Sequence, residues 1–526
     1  MGPISAATGT TQPTKKQPKF PKTFWVANTM EIFERMAWYG FFAVSSLYIT
    51  NPRSEGALGF TSQQRGTLQG AVMFILYLLP VLSGALADRY GYKKMFAIAF
   101  GVLTPAYYLL GQFDSYAGFF GVFLLVALGA AIFKPVVVGT VARTTNEKTG
   151  TLGFGIFYMM VNIGGFVGPI VAGIVRGWAW NWVFVMSAVW IACNFIWLFL
   201  LYEEPTKEAK SEKPRTLRKV MNDMVDVLGT GRLFLTVLVC FTFMVVATNE
   251  WVTWRDSMIV IGIWLVVNIL YDVFLRNSSV HYGSWLTTPM RIGNWRFVLF
   301  LVILSGFWTS FNQIFFTMPE YIRDFVDTTD LLASLQGMAS AVGWNGAVTH
   351  LQAAINSGYQ VNPEYIVNVD AGAIVVFQVL VSWTMSRFPA FTTMVVGTIV
   401  AGVGIALGGW ATGGWFVVGA IVIFAFGEMA ASPKSQEYIG RIAPPDKVAL
   451  FMGYYFVAVA LGNLFGGIIS GVGYQKLALD RDRPDIMWWL FGCIGFATAL
   501  GLVLYNRFVV PGWRKEVAQQ NAGETG

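Results

Sequence analysis

Glu31, Glu34 and Arg35 stand at i, i+3 and i+4 inside an otherwise apolar run, and Trp38 continues the same stripe at i+7. A charge at the centre of a membrane-spanning helix costs about 2.5–3.5 kcal/mol. Such groups normally face a polar cavity and pair with one another. The stripe therefore reads as the lining of a path through a membrane; the bland alternative is an ion pair that packs two helices. Lys134 is a second isolated charge, deep in the run 116–141 and about seven residues from its end. Its stem could snorkel to water, but a cavity is nearer. Pro135, next to it, breaks the backbone ladder and bends the helix. Glu428 is a third, inside the run 413–440. A lone carboxylate at that depth suits a proton carrier or a receptor for an ammonium group.

The elements that must position these groups are long and apolar. Of 526 residues, 55% are hydrophobic and 12% charged, about half the charge of a soluble chain. Apolar runs of about 20 residues recur throughout, enough to cross a bilayer core. They are continuous, not alternating, so they are helices. Runs are expected at 23–49, 63–86, 93–112, 116–141, 152–175 and 181–202, then 232–250 and 257–275 joined by a turn at Trp254-Arg255-Asp256. Six more follow at 296–318, 364–387, 390–408, 413–440, 448–474 and 485–507. This predicts an all-α membrane protein with fourteen crossings: two six-helix bundles plus an inserted helix pair.

Five segments result. Residues 1–22 form a polar tail without the apolar core of a signal peptide. Residues 23–202 form one bundle, and 203–295 a basic linker with the inserted pair (232–275). Residues 296–507 form the second bundle, and 508–526 a terminal tail. Lys and Arg gather in the tail before Lys22, around Arg89, Lys93 and Lys94, in the linker and at Arg507, Arg514 and Lys515, which puts both termini in the cytoplasm. The net charge of +7 is explained the same way, without a nucleic-acid partner. The stretch 320–362 is an external connection, either a short helix on the membrane face or a packed lid. Cys193, Cys240 and Cys493 fall in apolar runs, and neither a disulfide framework nor a metal-ligand spacing is visible. No cofactor is expected.

Several motifs in register give these charges a context. Gly84-Ala-Leu-Ala-Asp88-Arg89-Tyr-Gly91-Tyr-Lys93-Lys94 resembles the loop motif of the major facilitator superfamily, which serves fold and gating. Glu31-Ile-Phe-Glu34-Arg35-Met-Ala-Trp38-Tyr39-Gly40 is similar to the ExxERFxYYG motif of the proton-dependent oligopeptide transporter family, with Met36 for Phe and Trp38 for the first Tyr. Phe157-Tyr158-Met-Met-Val161-Asn162-Ile-Gly164-Gly165 resembles that family's FYxxINxGS, and Lys134-Pro135 its KPN element with Val136 for Asn. Glu428-Met-Ala-Ala-Ser432-Pro433 and Met452-Gly453 through Gly462-Asn463 extend the likeness, with Tyr455 where Trp is usual.

The resemblance implies a proton-coupled importer of di- and tripeptides in a plasma membrane, with the inserted pair pointing to a bacterial inner membrane. It would act as a monomer whose partners are short peptides, protons and the lipid bilayer. By the same resemblance, Arg35 and Lys134 would hold the peptide carboxylate and Glu428 its α-ammonium, with Tyr39, Tyr77, Asn162, Asn312 and Tyr455 also at the substrate. Glu31, Glu34, Arg35, Asp370 and Glu428 would serve proton coupling. Two departures matter. The family usually has a titrating acid where this chain has Asn312, and Asp370 falls where the family often has Asn. Either the carboxylate has migrated to Asp370, or Asp370 lies near the outer surface and is solvated. Competing readings are a carrier of another metabolite or anion with altered coupling, and a non-transporting sensor. An enzyme is not expected, since no nucleophile–base pairing is seen.

Overall fold

The computed structural model describes residues 20–80, 83, 87, 89–146, 149–205, 225, 229–249, 251–277, 287–442 and 448–511. Gly84, Asp88, His281, the lysines before Lys22, most of the basic linker and the terminal tail lie outside them. The first bundle comprises α1 (Lys22–Thr50), α2 (Ser62–Leu78), α3 (Tyr92–Leu110), α4 (Tyr116–Arg143), α5 (Gly150–Arg176) and α6 (Trp180–Leu200). The inserted pair is α7 (Gly231–Thr248) and α8 (Trp254–Asn277). Then come α9 (Trp295–Phe311), α10 (Thr329–Ala341), α11 (Asn345–Asn356), α12 (Val369–Met385), α13 (Ala390–Leu407), α14 (Gly414–Ile442), α15 (Val448–Gly473) and α16 (Pro484–Phe508).

Among the described residues, eleven helical spans are long and apolar enough to cross a membrane. The other three long helices of the first bundle fall outside that set for visible reasons. α1 bears the charged stripe, α2 is described over 17 residues, and α3 opens on Lys93 and Lys94. At 1.5 Å per residue, the 29 residues of α1 run about 43 Å, the thickness of a bilayer with its headgroups. Large apolar side chains on α8, such as Ile263, Val267, Leu270 and Phe274, are exposed, as a lipid-facing surface requires. Arg232 fastens the inserted pair by an ion pair to Asp272 at 2.5 Å and a bond to Asn268 Oδ1 at 2.9 Å.

Local chemistry moves several boundaries from their expected places. Trp254-Arg255-Asp256 is the first turn of α8, not the turn before it. Thr253 accepts from the Asp256 amide at 3.1 Å and donates to its carboxylate at 2.8 Å, which starts the helix there. The run expected at 296–318 is broken. α9 ends before Asn312, and short helices Gln313–Phe316 and Met318–Phe325 continue its path. Asn312 Nδ2 donates to Trp308 O at 2.7 Å and Gln313 Nε2 to Thr309 O at 2.8 Å, side-chain amides competing with the backbone. Pro319 then contributes no donor. In the same way Pro363–Val367 precedes α12. The stretch 320–362 holds the end of that path and a helical hairpin, α10 and α11. Asp330 anchors the hairpin to α14 by accepting from the Gly414 and Trp415 amides, each at 3.0 Å.

The helices enclose two main apolar cores. One is built from Phe24 to Tyr202 with Phe316, the other from Phe297 to Val510. The halves meet most closely where α2 lies against α15. There Gly66 and Gly70 face Gly467 and Gly471 with no room for a methyl group; a Cβ on Gly70 would stand 3.1 Å from the Gly467 Cα. We call the end of the bundle at which α1 finishes the distal end. Two ion pairs cross between the halves toward it, each at 2.6 Å: Arg65–Glu320, fully buried, and Arg176–Glu364, part-buried.

Candidate functional site

Between the two halves lies a cavity of ≈ 240 Å³. α1 contributes Tyr39 to its wall, α2 Tyr77, α5 Asn162, the C-cap of α9 Asn312, α12 Asp370 and α14 Glu428. All six were marked in the sequence. The helical period brings them together, because each long helix turns one stripe to the interface.

On the side of the first bundle the charges stand one side chain behind this wall. The Arg35 guanidinium lies 5.6 Å from the centre of the Tyr39 ring. The Lys134 ammonium lies 4.8 Å from the Tyr77 ring and 5.6 Å from the Phe456 ring. Arg35 is gripped by Glu34 at 2.5 Å and approached by Glu31 at 3.4 Å. The i, i+3, i+4 stripe is thus an internal charge cluster, and Glu31 Oε2 and Glu34 Oε1 are buried without a partner. Lys134 rests on aromatic faces and makes no ion pair among the described residues. Tyr455 is also behind the wall, 2% exposed, and its hydroxyl accepts from Ser435 at 3.4 Å.

The other side is acidic. Asp370 is 3% exposed and lines the cavity, so it is not a solvated surface group. Glu428 faces the same space, and Asp370 Oδ1 and Glu428 Oε2 are both shielded from solvent without a hydrogen-bond partner. Glu364, not singled out in the sequence, also lines the cavity and takes Arg176 at 2.6 Å. It stood at the first residue of the run expected at 364–387, where an acid suits a helix start and calls for no cavity. Asn368 was likewise overlooked; it lines the cavity and donates to Phe166 O at 2.9 Å, tying α12 to α5.

The loop motif sits elsewhere, at the start of α3. Gly91 has φ +94°, which favours glycine. The helix start is capped from the end of the first bundle: Glu204 accepts from the Tyr92 amide at 2.6 Å and the Lys93 amide at 2.9 Å. A carboxylate there suits the positive end of the helix dipole. Arg89 lies over the Tyr90 ring at 5.4 Å.

Chemically, the cavity wall is aromatic with cations behind it on one half and carries carboxyl groups on the other. No group of three or more metal-ligating side chains occurs among the described residues. The arrangement fits a small zwitterion lying across the interface.

This architecture is that of an integral membrane transporter. A profile of the Major Facilitator Superfamily matches residues 30–352 and again 331–525, and the chain belongs to that superfamily. Within it, several of the proteins it resembles are named as peptide transporters. The peptide transporter YePEPT of Yersinia enterocolitica is 22% identical over 517 residues, 91% of this chain and 92% of the relative. The crystal structure of a peptide transporter POT in complex with sulfate superposes with a TM-score of 0.66 at 18% identity, covering 94% of this chain and 95% of that one. A tetrameric PepTSo2 structure gives 0.60 at 18%, covering 94% and 99%.

Proposed function

We propose that this protein is a proton-coupled symporter of di- and tripeptides working by alternating access. The carrying observation is the polarity of the cavity: Arg35 and Lys134 behind Tyr39 and Tyr77 on one half, Glu428 and Asp370 on the other. A peptide zwitterion that bridges them draws the halves together, since the two poles lie on different bundles. Asn162 and Asn312 supply neutral donors and acceptors between the poles. Glu31 and Glu34 share Arg35 and exchange protons beside it. Relatives named as peptide transporters support the substrate class.

The membrane is a bacterial inner membrane, with both termini cytoplasmic and the protein monomeric. The distal end is then the outer end, and its close packing closes the cavity on that side. A second reading rests on Asn312, which lines the cavity and cannot carry a proton: a carrier with altered coupling, or one of another metabolite. Uptake of labelled dialanine into proteoliposomes, with and without an inward proton gradient, separates them. Accumulation above equilibrium that is lost in Lys134→Gln and Glu428→Gln is expected. Uptake that only equilibrates would favour the second reading, and a lack of competition by unlabelled dipeptides would remove the peptide assignment.

A further inference from the structure

Buried Asp370 and half-buried Glu428 line this cavity, and no cation stands in its wall among the described residues. Asp370 on α12 and Glu428 on α14 come from a packed helix pair. Asp370 Oδ1 and Glu428 Oε2 are shielded from solvent and have no donor. Ionised carboxylates only accept, so a hydrogen bond between them requires a proton on one. Two ionised carboxylates on the wall of one small cavity with no cation in that wall disfavour each other's charged form.

Among the described residues no cation lines the cavity, and Lys434, on α14 with Glu428, is paired with Glu437 at 2.8 Å. α13 carries no titratable side chain along Ala390–Leu407. α5 brings Tyr158 and Arg176, and Arg176 is committed to Glu364. α15 brings Tyr454 and Tyr455. α1 brings Tyr39 and Arg35, the latter held by Glu34. Lys134 lies beyond Tyr77, on the opposite wall.

We propose that Asp370 and Glu428 form a single proton-binding site, one proton shared between two carboxyl groups, that presents one net negative charge to the cavity. This deepens the reading of the cavity as a symport site and, for its transport consequence, rests on it. With one proton and one substrate ammonium the pair is neutral. With the ammonium alone it keeps one negative charge. A buried, occluded site favours the neutral combination, so proton and ammonium are required together.

The test that does not depend on peptide transport is infrared difference spectroscopy of the purified protein, wild type against Asp370→Asn and against Glu428→Gln. Each amide replaces the shared proton with a permanent donor and lets the remaining carboxyl ionise. A protonated-carboxyl C=O band should therefore disappear in both variants. Thermal unfolding would confirm that each near-isosteric variant is folded. Persistence of the band in either variant, or its absence from the wild type, overturns the proposal. In proteoliposomes, gradient-driven accumulation of dialanine should fall to the level of simple equilibration in Asp370→Asn; full accumulation would overturn the coupling role. If the wild type took up no dialanine, the peptide reading would fail and the infrared result would still decide the shared proton.

Discussion

Replacing Glu320 with Gln should open the distal end. Arg65 and Glu320 are both 0% exposed and bonded at 2.6 Å. Ser62 donates to Glu320 at 2.7 Å, and Arg65 donates to Ser470 at 2.6 Å, itself 2.6 Å from Thr317. The network joins α2 of one half to α15 and the continuation of α9 in the other. Glutamine preserves the shape but leaves Arg65 buried without an anion. Breaking such a pair costs about 3–5 kcal/mol. The cost falls on the closed arrangement, because separating α2 from its partners returns the guanidinium to water. At 1.4 kcal/mol per tenfold, the closed-to-open ratio should drop by roughly 10²- to 10³-fold. A cysteine at position 317, where Thr317 is fully buried, reports this once Cys193, Cys240 and Cys493 are replaced. Its modification by a charged thiol reagent should accelerate in Glu320→Gln, and adding Arg65→Gln should return part of the protection by removing the stranded charge. An unchanged rate in the single variant, or a double variant as fast as the single, would refute the reasoning.

Two other outcomes are expected. Gly467→Ala should loosen the same end, since the new methyl would stand 2.6 Å from the Gly70 Cα, an overpacking worth about 1–3 kcal/mol; the buried cysteine should again react faster, while Gly453→Ala, with nothing within 4 Å of its Cβ, should leave the rate alone. Asp327, at the base of the helical hairpin, accepts from the Thr329 amide at 3.0 Å and hydroxyl at 2.7 Å, bonds that hold its carboxyl below the usual range. A depressed folded pKa gives stabilisation that is complete at neutral pH and lost as pH falls below the ordinary carboxylate value. Proteolysis of the hairpin should thus be constant from neutral pH to about pH 5 and rise only in stronger acid; in Asp327→Asn it should be higher and flat, and a rise in the wild type near neutral pH would contradict this.

The charged stripe on α1, Lys134 and Glu428 were legible in the sequence because a charge inside an apolar run is costly, so its presence carries information. Arg65 has the same property in the structure and was invisible. It is the third residue of the run expected at 63–86, close enough to the end for its side chain to reach water, and only the packing of α2 on α15 buries it. Glu320 and Glu364 were hidden by their prolines. Pro319 and Pro363 suggest chain outside a helix, yet each opens a short helical piece that keeps its acid inside. The break at Asn312 depends on side-chain amides bonding carbonyls one turn back, a choice that residue type permits but does not dictate. The glycines of α15 read as helix packing, but their partner on α2 lies in the other half of the chain.

The charges also divide by depth. Toward the distal end, Arg65 meets Glu320 and Arg176 meets Glu364 across the two halves, each cation matched by its own anion. In the middle the matching fails. Arg35 is satisfied within its own helix, Lys134 rests on rings, and Asp370 and Glu428 line a cavity with no cation in its wall among the described residues. A seal needs partners that are already present, so that closure completes a set of bonds. A site for a charged cargo needs the opposite: groups whose partners are missing until the cargo and its proton arrive. The same interface thus carries both conditions, and the order of the charges along it decides which end closes and which part waits.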